Sequence, residues 1–335
     1  MLKFAVLSKS TKIIINYGIG IGLFAWLSWS LFHQVRYQEN LQLALRELRE
    51  VVQGPSLLAL LGVCLMMAVN WGLEARKWQL LVNPLERIPF RRAFYAILSG
   101  ISLSVNTPNR IGEYGGRILY VHHINKLRAI TVTLVGSFSQ LIVTILFGLA
   151  GLAYYIDNLI FPGTGSSALS GAWKAVLIGV MVLSAVVTLF LYFRLHLFVT
   201  LFERIRALRR LRGYVKVLDR FSKDELGKLL LLSVVRYLVF SLQFLILLWL
   251  LGVDILWWQG LLMIFLVYLA MALVPTVAIA ELGIRGQIGL YFLGLLSPNK
   301  VGIIAATFGI WFINLIIPAI VGSVLILGIK VFSDK

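Results

Sequence analysis

The chain has 335 residues, of which 60% are hydrophobic and only 13% are charged, and its mean hydropathy is +0.91. These values exclude an ordinary soluble domain. The net charge of +17 would suit a nucleic-acid-binding protein in water, but here the positive residues cluster in short segments between apolar stretches. Because such segments set the orientation of membrane helices, we expect a membrane protein without a nucleic-acid partner.

The apolar stretches indicate the fold class. Several have the ~20 residues that a helix needs to cross ~30 Å of hydrocarbon. The alternating ten-residue strands of a membrane barrel are not visible in the sequence. We therefore predict an all-α, polytopic helical membrane protein. The single cysteine and the four histidines show no metal-ligand spacing, so no metal or other cofactor is expected.

The N-terminal part predicts one span and one surface helix. Residues 13–32 are apolar and follow Lys3, Lys9 and Lys12, which places the N-terminus in the cytoplasm. Residues 37–53 carry leucines at helical spacing and charges on the other faces, the pattern of an amphipathic helix on the outer membrane surface.

The next part combines a full span with a short apolar segment. Residues 56–81 predict the second span, and basic residues after it return the chain to the cytoplasm. Residues 93–105 are apolar but too short to cross a bilayer, and a polar segment at 106–117 follows. Since basic residues flank this unit at both ends, we predict a re-entrant hairpin that enters from the cytoplasm.

Two further spans enclose a loop that lacks basic residues. Residues 129–155 and 172–193 form the third and fourth predicted spans, and the loop between them is placed outside. Residues 194–228 then contain ten Lys or Arg against four Asp or Glu. This segment is interpreted as a basic cytoplasmic linker that lies partly along the inner leaflet.

The C-terminal part repeats the earlier order of elements. Residues 229–251 predict the fifth span, 259–273 and 287–296 are short apolar pieces around a polar segment, and 301–329 predict the sixth span. The charge rule places this second hairpin outside and the C-terminus in the cytoplasm. About six full spans and two re-entrant broken hairpins are therefore expected.

This order indicates an inverted repeat within a single membrane domain of residues 1–335. The first repeat is predicted at 56–155 and the second, inverted repeat at 229–329. Interrupted apolar segments at matching positions of two halves are the best sequence pointer to the central site of a transporter.

The two interruptions also match in their side chains. Pro108 precedes Glu113 by five positions and Pro275 precedes Glu281 by six, and each Glu is followed by an Arg four residues later. The residues interpreted as hairpin breaks are Pro108, Gly112, Pro275 and Gly283.

Charged groups at these positions need partners or a function. A charge at the bilayer centre costs about 2.5 to 3.5 kcal/mol on the insertion scale, so such groups have to face inward. Spacing of four lets each Glu meet its Arg, and Arg110 adds a bidentate donor for phosphate or carboxylate. The predicted substrate-binding residues are Arg110, Glu113, Arg117, Glu281 and Arg285.

The alternative is a purely structural role, in which the Glu–Arg pairs only hold the hairpins in the helical bundle. Two pairs beside breaks in mirrored halves favour a function over that alternative. Glu74, with Arg76 and Lys77, is interpreted as a charge cluster at a helix end and is not included in the site.

The string Pro108-Asn109-Arg110-Ile111-Gly112-Glu113 and the later segment 275–286 resemble the lysylphosphatidylglycerol synthase transmembrane, or flippase-like, family over residues 10–330. The family pattern is Pro-Gly-Arg-x-Gly-Glu, so Asn109 replaces a glycine here. The resemblance implies a membrane protein that moves an anionic or modified lipid between leaflets. Well-known members also carry a soluble aminoacyltransferase domain, which is not recognised in this sequence, so we expect the translocating activity and not lipid synthesis.

The leading hypothesis is therefore a flippase-like protein whose partners are membrane lipids, anionic or aminoacylated phospholipids above all. The alternatives are a membrane-embedded transferase acting on a lipid-linked substrate and a non-catalytic membrane scaffold. Because no catalytic motif is recognised, an enzyme is not expected. We expect a bacterial or archaeal cell (inner) membrane as the location, and a homo-oligomer is compatible with the sequence.

Overall fold

The structure is a computed structural model that describes residues 29, 46, 49, 57–105, 107, 110–122, 126–160, 168–194, 216–274 and 278–327. For residues 168–170, 172, 174, 278–282 and 327 it describes the backbone alone. Within these ranges the regular elements are helices and none is a strand, which confirms the predicted all-α class. The predicted first span, the surface helix at 37–53 and most of the basic linker lie outside the described residues.

The described helices follow the predicted order of spans and broken hairpins. In chain order they are α1 (Leu57–Val82), α2 (Phe90–Ser104), α3 (Gly112–Ile118), α4 (Lys126–Tyr155), α5 (Ala168–Tyr192), α6 (Lys223–Leu250), α7 (Trp257–Leu273), α8 (Ala278–Leu293), α9 (Lys300–Trp311) and α10 (Ile317–Leu327). Two π-helical segments extend them, Ile156–Ile160 after α4 and Phe312–Ile316 between α9 and α10.

Five helical stretches in the described part of the chain are long and apolar enough to cross a membrane: α1, α4, α5, α6 and the continuous run from α9 to α10. This finding confirms a multi-pass membrane protein. Helix α5 packs on α4 and exposes a row of valine and leucine side chains, as expected for a helix facing lipid. Helix α6 begins six residues before the predicted span because Ser222 and Glu225 form a capping box at its N-terminus.

The first hairpin is formed by α2 and α3, which pack against each other. Thr107 joins the end of one to the start of the other, since its hydroxyl donates to the Ser104 carbonyl at 3.2 Å and accepts the Gly112 N–H at 2.7 Å. Gly100 and Gly116 let the two backbones touch, because a Cβ on Gly116 would overlap the Gly100 backbone. The predicted short limbs and the break near Gly112 are therefore present.

The second hairpin differs from its prediction in the position of the break. Helix α7 ends at Leu273 and α8 already begins at Ala278, so the second limb starts nine residues earlier than the predicted piece at 287–296. Gly283 lies inside α8, and its interpretation as a hairpin break is wrong. A helix interior tolerates one glycine at a cost of about 1 kcal/mol, and the interruption is complete before this residue.

The two halves pack in an exchange pattern, in which the first limb of the hairpin in each half contacts the last span of the other half. Helices α1 and α6, the first spans of the predicted repeats, pack on each other, while α2 packs on α10 and α7 packs on α4. In both of the latter contacts a glycine of the long span admits the hairpin backbone: Gly151 lies against the Leu262 carbonyl and Gly322 against the Leu98 carbonyl. The first limb of each hairpin is thus seated on the last span of the other half.

Candidate functional site

A buried ion network occupies the contact between α1, α3 and α6. Glu74 of α1 is its centre: Lys77 Nζ lies 2.8 Å from Glu74 Oε2, and Arg117 Nη2 of α3 lies 3.0 Å from Glu74 Oε1. Arg236 of α6 contributes Nε at 3.5 Å from Glu74 Oε2. Since charge in the membrane interior is rare and usually functional, this network marks a candidate functional region.

The network also holds the first hairpin. Arg117 Nη2 donates to Glu113 Oε1 one turn earlier on α3, as the spacing of four predicted. The same nitrogen contacts Glu74, so the hairpin is tied to α1 through one guanidinium. Lys77 donates to the Ser233 hydroxyl of α6 at 3.4 Å, which adds a second link between the halves.

The interpretation of Glu74 as part of a helix-end charge cluster is wrong. Helix α1 continues to Val82, so Glu74 and Lys77 lie within it and are buried. Arg76, the third member of that cluster, is exposed and donates to Gln79 at 2.6 Å. The span ends at Val82, close to its predicted end at residue 81, and two of the three charges near position 76 are neutralised inside the protein.

Arg236 connects the network to a cavity. Its Nη1 donates to Gln140 Oε1 of α4 at 3.1 Å, and its guanidinium carbon lies 5.1 Å from the centroid of the Trp71 ring. Arg236, Trp71 and Gln140 all line the cavity. A change in what fills the cavity therefore acts on a residue that is ion-paired to Glu74.

The cavity has a volume of about 660 Å³ and is lined by both halves of the chain. Three arginines line it: Arg110 before α3, Arg236 on α6 and Arg285 on α8. Arg110 has φ 56°, a left-handed conformation that is uncommon for residues other than glycine, Asn and Asp. Because strained backbone concentrates at functional sites, this conformation agrees with a role for Arg110 at the cavity.

A chain of amide groups lies beside the cavity, and two of its members, Asn70 and Asn314, line it. Asn70 Nδ2 donates to Asn314 Oδ1 at 3.3 Å, and Asn314 Nδ2 donates to Gln243 Oε1 at 2.9 Å. Gln243 Nε2 in turn donates to the Val63 carbonyl at 2.8 Å. Asn314 lies in the π-helical segment Phe312–Ile316, and such segments are frequent at functional sites. The chain fixes α1, α6 and the last span relative to one another.

Some buried polar atoms of lining residues have no hydrogen-bond partner. They include Asn70 Oδ1, Trp71 Nε1, Tyr237 Oη and Trp311 Nε1. An unsatisfied buried group costs about 1 to 3 kcal/mol, and folded proteins contain few of them.

The structure brings together part of the predicted site. Arg110 and Arg285 line the cavity, and Glu113 and Arg117 belong to the adjacent network. Arg285 and Glu281 lie within helix α8, not in the break, and the side chain of Glu281 is outside the described residues. Pro108 and Pro275 also lie outside them.

Sequence reasoning missed the residues on the unbroken spans. Arg236 is a lone charged residue in the apolar sequence of the fifth span. Because a buried charge is costly, this position could have been recognised from the sequence as a functional one. Asn70 and Asn314 lie 244 positions apart, and nothing in the linear pattern pairs them.

Comparison with known proteins identifies a family. No curated protein matches the chain. A family model described as the lysylphosphatidylglycerol synthase TM region matches residues 13–322. The match includes both broken hairpins, all the network residues and all the residues that line the cavity. The chain therefore belongs to the lysylphosphatidylglycerol synthase transmembrane family and is a multi-pass membrane protein linked to lipid handling.

Proposed function

We propose that this protein translocates, or assists the translocation of, a phospholipid or modified lipid between the leaflets of a bacterial or archaeal cell (inner) membrane. The observation that carries the proposal is the cavity between the two halves, lined by Arg110, Arg236 and Arg285 beside a buried ion network. A volume of about 660 Å³ lies within the range of about 300–1,000 Å³ for small-molecule sites, which suits a lipid head group.

The head group is proposed to meet the arginines while its acyl chains stay in the surrounding lipid. Guanidinium groups bind phosphate with two parallel hydrogen bonds, so three of them on separate elements stabilise a phosphate crossing the hydrocarbon. Glu113, Arg117 and Glu281, which belong to the two hairpins, are proposed to contribute to substrate binding together with these arginines. Arg117, tied to Glu74, links the position of α3 to the same network as Arg236.

Alternating access would follow from an inverted repeat. We propose that residues 56–155 and 229–329 are related in this way, with both termini in the cytoplasm and 194–228 as a cytoplasmic linker. The exchange pattern of helix packing supports a two-fold relation between the halves. In such proteins the two hairpins enter from opposite sides and converge near the midplane.

Reconstitution tests the function directly. The purified protein is placed in liposomes that carry labelled phospholipids in one leaflet, and protein-dependent exchange is followed over a panel of anionic and aminoacylated lipids. Arg236→Gln is the site variant, and Arg220→Gln, an exposed arginine before α6, is the matched control for loss of one positive charge. We expect exchange with the control and a loss of about tenfold with Arg236→Gln.

The possible outcomes separate the alternatives. No protein-dependent exchange of any lipid in the panel would rule out translocation. If the double variant Glu113→Gln with Glu281→Gln folds and exchanges lipid at the unaltered rate, the predicted Glu–Arg pairs have only a structural role. A scaffold predicts that all these variants behave like the unaltered protein.

A further inference from the structure

Lys77 is a buried lysine in an ion network whose described charges do not balance. The network contains three cations and two carboxylates: Lys77, Arg117, Arg236, Glu74 and Glu113. With every group ionised, these side chains carry one positive charge in excess. Lys77 is only 1% exposed, so the excess lies in a low dielectric. Because unbalanced buried charge is costly, the excess is relieved by the loss of a proton or by the arrival of an anion.

Only one of the three cations can give up its proton. A guanidinium stays charged in proteins, whereas a buried lysine exchanges its proton readily. The charged groups that act on Lys77 are Glu74 on the same helix, Arg117 on α3 and Arg236 on α6, and Tyr114 of α3 acts in turn on Arg117. When Lys77 is neutral, two guanidinium groups face two carboxylates and the described network is balanced.

The hydroxyl groups beside Lys77 suit both of its protonation states. Lys77 Nζ lies 3.4 Å from Ser233 Oγ, which lies 3.0 Å from Ser139 Oγ of α4. Ser139 can donate to the Gly136 carbonyl at 2.8 Å. Since a hydroxyl both donates and accepts, Ser233 accepts a hydrogen bond from the ammonium form and, after rotation of its hydroxyl, donates one to the amine form. A change of protonation therefore leaves no polar atom of Lys77 facing an unsuitable partner here.

Lys77 is linked to the cavity through one oxygen atom. Glu74 Oε2 lies 2.8 Å from Lys77 Nζ and 3.5 Å from Arg236 Nε. The ammonium form of Lys77 competes with Arg236 for this oxygen, whereas the neutral form leaves it to Arg236. Arg236 also lines the cavity. Protonation of Lys77 thus weakens the hold of Glu74 on Arg236, and an anion that reaches Arg236 balances the charge that the proton brings.

We propose that Lys77 takes up a proton when an anionic head group binds in the cavity and releases it when the head group leaves, so that translocation is coupled to proton transfer. This inference rests on the proposed function, because it assigns a second transported ion to the same site. The step is electroneutral, since water supplies one proton to the amine and the lipid brings one negative charge. The proton and the lipid each strengthen the binding of the other by the same factor.

A pH difference across liposomes tests the coupling. The purified full chain is reconstituted with phosphatidylglycerol that is labelled on an acyl chain, and a membrane-impermeant quencher reports the label in each leaflet. Lipid that moves together with a proton should accumulate in the leaflet on the alkaline side, by up to about tenfold for a difference of ~1 pH unit. Liposomes without protein give the passive distribution, and an ionophore that collapses the pH difference should abolish the accumulation.

Two variants assign the coupling to Lys77. Lys77→Arg keeps the charge but cannot release a proton, and Lys77→Met removes the site of the proton. Each should reduce the leaflet ratio to the passive value. Lys228→Arg, at an exposed position of α6, is the matched control and should keep the full accumulation.

A spectroscopic titration does not depend on transport. In the purified full chain labelled with ¹⁵N-lysine, the Nζ signal that disappears in Lys77→Met is followed between about pH 6 and about pH 9, a range in which exposed lysines stay protonated. We expect this signal to change from ammonium to amine as the pH rises, and addition of phosphatidylglycerol should restore the ammonium form.

The contrary results are distinct. Lipid exchange with a leaflet ratio that does not respond to the pH difference, or accumulation on the acidic side, overturns the coupling and leaves translocation in place. Accumulation that persists in Lys77→Met overturns the assignment to Lys77. Absence of any lipid exchange rejects the proposed function, and the titration then decides on the proton site: an ammonium signal throughout, with and without lipid, overturns it.

Discussion

Arg117 Nη2 lies 3.0 Å from Glu74 Oε1 and also donates to Glu113, so a single buried guanidinium joins the re-entrant helix α3 to the long span α1. The two acidic partners differ in surroundings. Glu74 is buried among three cations, whereas the side chain of Glu113 is 29% exposed. Replacement of Glu74 should therefore mainly lower stability, whereas replacement of Glu113 should mainly lower activity.

Replacement of Glu74 should destabilise the fold. Glu74→Gln removes the carboxylate shared by Lys77, Arg117 and Arg236, and loss of one partner of a buried ion pair costs about 3 to 5 kcal/mol. The free energy of unfolding is measured by denaturation in detergent micelles. Asp254→Asn, an exposed acid between α6 and α7, is the control and should change it by less than about 0.5 kcal/mol. Equal stability of the two variants would show that the cations do not need Glu74.

Replacement of Glu113 should affect stability less. In Glu113→Gln, Arg117 keeps its contact with Glu74, and the lost pair is partly exposed, so we expect a decrease of about 1 kcal/mol in the free energy of unfolding. If the hairpin takes part in translocation, lipid exchange in liposomes falls more than this loss explains. A variant that unfolds as readily as Glu74→Gln would instead show that Glu113 mainly holds the fold.

The glycines that seat the hairpins should not tolerate a side chain. A Cβ at position 151 or 322 would overlap the carbonyl oxygen of Leu262 or Leu98, and backbone atoms cannot rotate away. We expect Gly151→Ala and Gly322→Ala each to lower the free energy of unfolding by about 1 to 3 kcal/mol. Gly179 on α5 has open space around it, so Gly179→Ala should be neutral or stabilising by up to about 1 kcal/mol. An unchanged free energy of unfolding in both Gly151→Ala and Gly322→Ala would contradict the close backbone contacts.

Chemical labelling should show that the two repeats have opposite orientations. Arg87, between α1 and α2, and Asp254, between α6 and α7, are exposed and occupy equivalent positions in the two predicted repeats. In a background without Cys64, Arg87→Cys should react with a membrane-impermeant thiol reagent from the cytoplasmic side and Asp254→Cys from the outside. Asp219→Cys, before α6, is the cytoplasmic control. Reaction of Arg87→Cys and Asp254→Cys from the same side would reject the inverted repeat.

The sequence predicted the elements well because the hydrophobic length that crosses a bilayer is a strong constraint on helices. The last span, predicted at 301–329, is found at Lys300–Ile326. The pair of Glu113 and Arg117 was also predictable, since one helical turn fixes its geometry.

Tertiary contacts account for what the sequence did not predict. Glu74 was interpreted as part of a charge cluster at a helix end because Arg76 and Lys77 follow it, but Arg117 and Arg236 approach it from helices that are distant in the chain. Gly283 looked like a break because glycine often ends helices, yet the interruption before Ala278 had already ended α7. Spacing along one helix cannot reveal contacts between helices.

The close backbone contacts at Gly151 and Gly322 limit how the helices can move relative to one another. Because α2 touches the backbone of α10 and α7 touches that of α4, the first limb of each hairpin moves as one body with a span that belongs to the other half. Opening the cavity then requires sliding between two such composite bodies, and flexing of a hairpin by itself would separate surfaces that are in backbone contact. The hinge residues should accordingly lie in the short connections that link these bodies, such as the one between α1 and α2.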